Sequence, residues 1–416
     1  MVNIYACNIM NKKTIIITIM LALVSLTGQG QLFRPLGLGS ELCERNGNYS
    51  QPKMHVEGNI LYVCTNQGLY SKDLSDGESE WQPAGFEGIP LQDYVRNGDD
   101  ILALRYNVDG GFLLLSHDGG KTYEDITPSQ FTHKEWTTWV VSLAQHPADP
   151  NTLLVTSVPF GILQSSDFGQ TWSLLIDEVL GNGAISSIGY HPLNPQIIYN
   201  SGEDDMLSPR LNVSYDGGQT WENRSPYFSG DNCVHRIAFH PTNPERWIVG
   251  GEGAVFTTTD SGHTWDTQDF WGDALRSLYW YFTTYDNDNS DIVYMAGTNN
   301  IAIMSIMCST DGGKSWCIPQ TEPINSSVKK TVNDLQQYSD KLLIYAETDV
   351  YEISKAELLA ASTASVPTIN TKNDDSTLIY DLQGRRANLN RKGIGITKGK
   401  KYVMAHKRAS RPMIVW

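Results

Sequence analysis

Ser214-Tyr215-Asp216-Gly217-Gly218-Gln219-Thr220-Trp221 is one copy of a pattern, Ser/Thr-x-Asp-x-Gly-x-Thr/Ser-Trp, that returns along the chain. Ser165 to Trp172 and Thr258 to Trp265 fit it, Ser309 to Trp316 carries Ser315 in place of Thr, and Ser116 to Tyr123 ends on Tyr. A worn copy stands at Ser71-Lys72-Asp73, with Trp81 following. The aspartates fall at 73, 118, 167, 216, 260 and 311, at intervals of 45, 49, 49, 44 and 51 residues. Such a period marks a repeat architecture. The pattern has the chemistry of a tight turn. Asp accepts hydrogen bonds from backbone N–H groups just ahead of it, the Gly two residues on supplies positive φ, and the Trp buries an apolar face where the return strand begins. Apolar runs precede the copies, as in Phe112–Leu115 and Leu211–Val213, so each copy closes a β-hairpin.

Around each turn the sequence reads as four short strands. The third repeat shows them as Trp139–His146, Leu153–Val158, Ile162–Ser165 and Trp172–Ile176. A repeating four-stranded sheet of this size is a propeller blade. Residues 41–358 divide into close to seven such units, with six as the alternative count. The seventh unit, Thr331–Tyr338, Leu342–Ala346 and Val350–Ser354, lacks an outer strand, and Leu32–Leu38 is expected to supply it and close the ring. The fold class is therefore all-β: a seven-bladed β-propeller over residues 31–358, a linker at 359–376, and a small C-terminal β tail at 377–416.

The repeated turn resembles the Asp box, or BNR repeat, of sialidase-like and sortilin-like β-propellers and of xyloglucan-cleaving glycoside hydrolases. The resemblance implies that Asp118, Asp167, Asp216, Asp260 and Asp311 are structural and lie away from the ligand face. One carboxylate per turn is also too few oxygens for calcium, so no metal and no cofactor is expected. His146, His191 and His240 each precede a Pro-rich turn at equivalent positions of successive blades, too far apart to share an ion.

The formal charge of -15, with 11 Trp and 20 Tyr, suits an acidic all-β protein and argues against nucleic acid as a partner. Residues 1–30 read as a secretory leader: Lys12 and Lys13, the apolar run Thr14–Leu26, then Gly28 and Gly30 before Gln31. Met10 makes a better start for that leader than Met1. The apolar run is short for a transmembrane helix, so a secreted or cell-surface location without a membrane span is expected. With Cys7 in the leader, Cys43, Cys64, Cys233, Cys308 and Cys317 remain. Pairings 308–317 and 43–64 stand open beside five buried thiols. Leu378–Arg386 (LIYDLQGRR) and Lys392–Lys401 (KGIGITKGKK) resemble the C-terminal sorting tails of secreted Bacteroidetes proteins, with Gly395 where an aromatic is usual. That resemblance implies secretion machinery as a partner. It also accounts for ten Lys/Arg and no Asp/Glu from Gln383 onward.

The face opposite the turns holds the irregular loops. Glycoside cleavage needs two carboxyl groups about 5–9.5 Å apart, and Asp231 with Asp273, on consecutive inter-blade loops, is the best catalytic pair. Trp136, Tyr227 and Trp271 offer flat faces for sugar rings, and Arg210 and Arg276 stand on plausible loops for binding an acidic group. The expected function is an exported propeller engaging an extracellular glycan on its axial face, with glycoside hydrolase or lyase activity left open. The alternatives are a non-catalytic polysaccharide- or protein-binding propeller of the sortilin-like kind, a sialidase, or an assembly factor.

Overall fold

Asp216 accepts the amide and the hydroxyl of Thr220 at 2.9 and 2.6 Å and the hydroxyl of Ser214 at 2.8 Å, while Ser214 Oγ accepts the Gly218 amide at 2.7 Å. The same bonds close the turns at Asp118, Asp167, Asp260 and Asp311, with Ser315 in the hydroxyl role in the last. Both oxygens of each carboxylate are thus spent inside the turn. The Thr220 bonds hold the Asp216 carboxyl down at about 2. Gly218 sits at φ +95 with a Leu175 methyl 2.7 Å from where a Cβ would stand, so a side chain there meets both strain and a neighbour.

The computed structural model describes residues 32–44, 51–105, 112–128, 139–158, 161–176, 187–203, 209–226, 234–270, 278–299, 304–319, 331–364, 393–397, 400–404 and 413–414. Seven antiparallel sheets follow one another as propeller blades, so the count is seven and not six. Their inner strands are Met54–Glu57, Leu91–Asn97, Trp139–His146, Ser187–Tyr190, Ile237–Phe239, Leu278–Tyr285 and Val332–Tyr338. In blades two to six the Asp turn bonds to the first hairpin turn of its own blade, through Gly119 to Asp99, Phe168 to Asn151, Gly217 to Gln196, Ser261 to Glu245 and Gly312 to Asp291. Those two sets of turns therefore share one face. Cores form between neighbouring blades: Leu102, Leu104 and Leu115 of the second pack with Leu143, Leu153 and Val155 of the third. Burial of each such side chain stabilises by about 1.5–3 kcal/mol.

The last blade closes as expected. Arg34 pairs with Glu352 and Pro35 with Tyr351, and the Leu36 amide donates to Val350 at 2.8 Å. Two departures stand beside that agreement. The stretch expected to be linker from residue 359 begins inside a helix, Lys355–Ala364. Its sequence KAELLAASTA is rich in helix formers. Leu358 is buried against the last two blades, and Lys355 Nζ lies 3.0 Å from buried Asp286. Neither of the two open pairings is made: Cys43, Cys64, Cys308 and Cys317 stand outside any disulfide, with Cys43 and Cys64 in different clusters of the core. Cys233 lies outside the described residues, as does the leader. Residues 368–416 form a separate unit holding a three-stranded sheet of Gly393–Thr397, Lys400–Met404 and Met413–Ile414.

The turn histidines act as acceptors. His146 Nδ1 takes the amides of Ala148 and Asp149, His191 Nδ1 those of Leu193 and Asn194, and His240 Nδ1 those of Thr242 and Asn243, all at 3.0–3.2 Å. At the corresponding turn of the sixth blade Asp286 Oδ1 accepts from Asp288 and Asn289 at 3.0 Å, which shows that an acceptor is what the turn requires. Burial lowers the basicity of His191, and burial followed by Arg246 lowers that of His240. A His whose folded pKa is depressed stabilises the fold above its unfolded value, near 6.5, and that stability is lost as pH falls through the window below it. The midpoint of urea unfolding should fall between pH 7.5 and 5. A flat profile there would remove the acceptor role from these rings.

Candidate functional site

Four inner strands carry a register shift near their start, between Leu91 and Asp93, Val140 and Ser142, Trp280 and Phe282, and Val332 and Asp334. Such a bulge bends the strand and re-aims the next side chain. In the second and seventh blades that next residue is an aspartate, and both are buried. Asp93 Oδ1 accepts the amide of Tyr94 at 2.9 Å, and Asp334 Oδ1 that of Leu335 at 2.7 Å. The remaining capacity is filled from other blades. Lys53 Nζ and His55 Nε2 of the first blade lie 2.5 and 2.8 Å from Asp93. Asp334 takes the Met54 amide at 3.0 Å and Arg236 Nη1, from the fifth blade, at 2.5 Å.

These residues line or back a cavity of about 570 Å³ along the inner strands, walled by Lys53, His55, Glu57, Asp93, Tyr94, Arg96, Gly98, Leu143, Gln145, Arg236 and Gln336. The cavity is axial, because five of the seven blades contribute to its wall. It extends from Lys53 and Asp93 to Glu57, Arg96 and Gly98, where the inner strands enter their first turns. The wall thus reaches toward the face that carries the Asp turns, and is not confined to the irregular loops. Arg96 lies over Tyr62 at 4.5 Å and Tyr94 at 5.7 Å, with Nε 3.6 Å from Glu57. Glu57 also accepts the Tyr94 hydroxyl at 2.5 Å.

The electrostatics favour holding over proton transfer. Burial opposes ionisation of Asp93, but Lys53 and His55 outweigh it and keep its carboxyl well below the usual range. Burial likewise disfavours charge on Arg236, and Asp334 outweighs it, so the guanidinium stays charged. Burial, then the bond to Glu57, pushes the Tyr94 hydroxyl up. Each of the three carboxylates therefore has a cation beside it. The cations are less occupied: among the described residues Arg236 spends one of its five N–H donors on Asp334, and Arg96 meets Glu57 only at 3.6 Å. Among the described residues no group of three or more His, Cys, Asp or Glu could hold a metal ion.

Of the residues selected from sequence, Arg210 stands in the strand Pro209–Ser214 opposite Gly202, half-buried, and is not among the described residues lining the cavity. Asp231, Asp273, Trp136, Tyr227, Trp271 and Arg276 lie outside the described residues. The channel group carries no sequence motif of its own. One signal for it was present: Leu91-Gln92-Asp93-Tyr94 and Val332-Asn333-Asp334-Leu335 both place an acid where a buried strand should be apolar.

A family model described as Sortilin-Vps10 (sortilin, neurotensin receptor 3) matches residues 209–412. No curated protein matches the chain. Among solved structures it is similar to a GH74 xyloglucanase from Xanthomonas campestris, at 17% identity and TM-score 0.57 over 78% of this chain and 53% of the other. A GH74 enzyme from Niastella koreensis is similar at 16% identity and TM-score 0.56, over 84% and 57%. YCF48 bound to a D1 peptide is similar at 15% identity and TM-score 0.52, over 75% and 99%. The chain thus spans little more than half the length of the GH74 enzymes, and identities this low carry the propeller fold alone.

Proposed function

We propose that this chain is an exported propeller that binds an acidic glycan in its axial channel without cleaving it. One observation carries the reading: the channel carboxylates are paired while Arg96 and Arg236 keep donors to spare. A glycosidase needs a carboxylic acid that gives up its proton at working pH and a second, free carboxylate. Asp93, held ionised between Lys53 and His55, suits neither role. Guanidinium groups with unspent N–H donors suit uronate or sulfate groups. Gln145 and Gln336 add amide oxygens that suit sugar hydroxyls, their nitrogens being turned to the Arg96 and Pro150 carbonyls and to Asp334.

The test is an array of acidic and neutral oligosaccharides on the full chain, with product analysis of every ligand that binds. Binding of acidic members without products is the expected result. Arg96→Ala should weaken that binding about ten-fold or more, since a charge-assisted hydrogen bond contributes about 1.5–3 kcal/mol. Asp231 and Asp273 remain the pair to change if products form, and products lost in Asp231→Ala or Asp273→Ala would replace this reading with a glycoside hydrolase. The match over residues 209–412 and the peptide held by YCF48 favour a second reading, a protein ligand in the same channel. Binding confined to peptides would select it. The leader at 1–30 and the tail at 377–416 support export in either case, and periplasmic retention of the full chain would count against the tail's role.

A further inference from the structure

Cys317 faces Cys308, in the strand Met304–Ser309, as an isolated antiparallel bridge across the last Asp turn. The pair exchanges both backbone hydrogen bonds, at 3.0 and 2.9 Å. Directly opposed residues in that register have Cα atoms about 5.5 Å apart, within the span a disulfide bridges. Neither is in a disulfide, and both touch one residue of the helix Lys355–Ala364. Cys308 Sγ is 3.1 Å from Ser362 Oγ, and Cys317 Sγ donates to the Ser362 carbonyl at 3.1 Å. Ser362 Oγ in turn donates to Leu358 at 2.8 Å. Cys308 is buried and Cys317 partly exposed.

We propose that Cys308 and Cys317 are a site of thiol–disulfide exchange whose oxidation releases the end of this helix. A low-molecular-weight disulfide is the oxidant. The Cys317 thiolate attacks one of its sulfurs and expels a first thiol. Cys308 then attacks Cys317 Sγ and expels the second. The two protein thiols lose two electrons and two protons, and the oxidant leaves as two thiols. Burial pushes the Cys308 thiol up, so the second step is the slower one and accelerates with pH. Once joined, neither sulfur has a proton to donate, and the Ser362 carbonyl loses its donor.

The test incubates the full chain with oxidised glutathione, then counts alkylatable thiols, maps non-reduced peptides, and follows limited proteolysis beyond Ser362. The expected result is two thiols fewer, a Cys308–Cys317 linked peptide, and cleavage after the helix several-fold faster than in the reduced chain. Cys317→Ser should abolish the link and the faster cleavage together, and the wild-type peptide map stands without that variant. An unresolved glutathione adduct on Cys317, a link through any other cysteine, or a 308–317 link with unchanged cleavage would each overturn the proposal.

Discussion

Arg236→Ala is expected to lower the stability of the propeller by about 3 kcal/mol, toward the low end of the range for breaking one side of a buried ion pair. Asp334 has a fully buried side chain, and Arg236 is the cation at ion-pair distance from it. Removing the guanidinium leaves a carboxylate served by the Met54 and Leu335 amides, with Gln336 Nε2 at 3.5 Å. Arg236 keeps 22% of its side-chain surface, so water entering the vacated space moderates the loss. The pair joins three blades, since Arg236 belongs to the fifth, Asp334 to the seventh, and the Met54 amide to the first. Adding Asp334→Asn should restore part of the stability, because it removes the charge to be balanced, although the Met54 and Leu335 amides bond different oxygens and an Asn side chain has one oxygen to accept them. Urea unfolding of the single and double variants measures both effects. A single-variant cost below about 1 kcal/mol would mean that water already reaches the pair.

Deleting residues 32–38 should have a comparable or larger effect, through packing instead of charge. The segment buries Phe33 and Leu38, each contributing about 1.5–3 kcal/mol. It also gives the Leu38 amide to Asp349 at 3.0 Å and takes the Trp81 indole N–H on the Leu36 carbonyl at 2.9 Å. Without it the strand Asp349–Ser354 becomes an exposed edge, and an open edge pairs with other chains. The expected outcome is an unfolding free energy lowered by roughly 3–6 kcal/mol, with concentration-dependent association in analytical ultracentrifugation. A monomer of unchanged stability would show that the ring does not depend on this strand.

Much of the fold is legible in the sequence because the Asp turn is local chemistry: the residues that make its bonds stand within seven positions of one another, so six copies number the blades. The closing strand follows from a seventh blade that lacks one. The channel was not legible for the opposite reason. Lys53, Asp93, Arg236 and Asp334 come from four blades and are brought together only by ring closure. The bulges that re-aim the two aspartates leave no residue type of their own. The helix Lys355–Ala364 was obscured because small residues suit a linker and a helix alike, and the deciding facts, the burial of Leu358 and the Lys355–Asp286 pair, are tertiary. The spacing of the turn histidines points to a structural role, but the paired amides that their Nδ1 atoms accept are visible only in the folded turn, where an aspartate fills the same place in the sixth blade.

The location of the ligand is the most direct measure of the binding account. A crystal structure of the full chain with an acidic oligosaccharide selected by the array should place a uronate or sulfate group within hydrogen-bond distance of Arg96 or Arg236, with the glycan intact and the Lys53–Asp93 and Arg236–Asp334 pairs unbroken. An oligosaccharide seated instead between Asp231 and Asp273, or found as cleaved product, would contradict it.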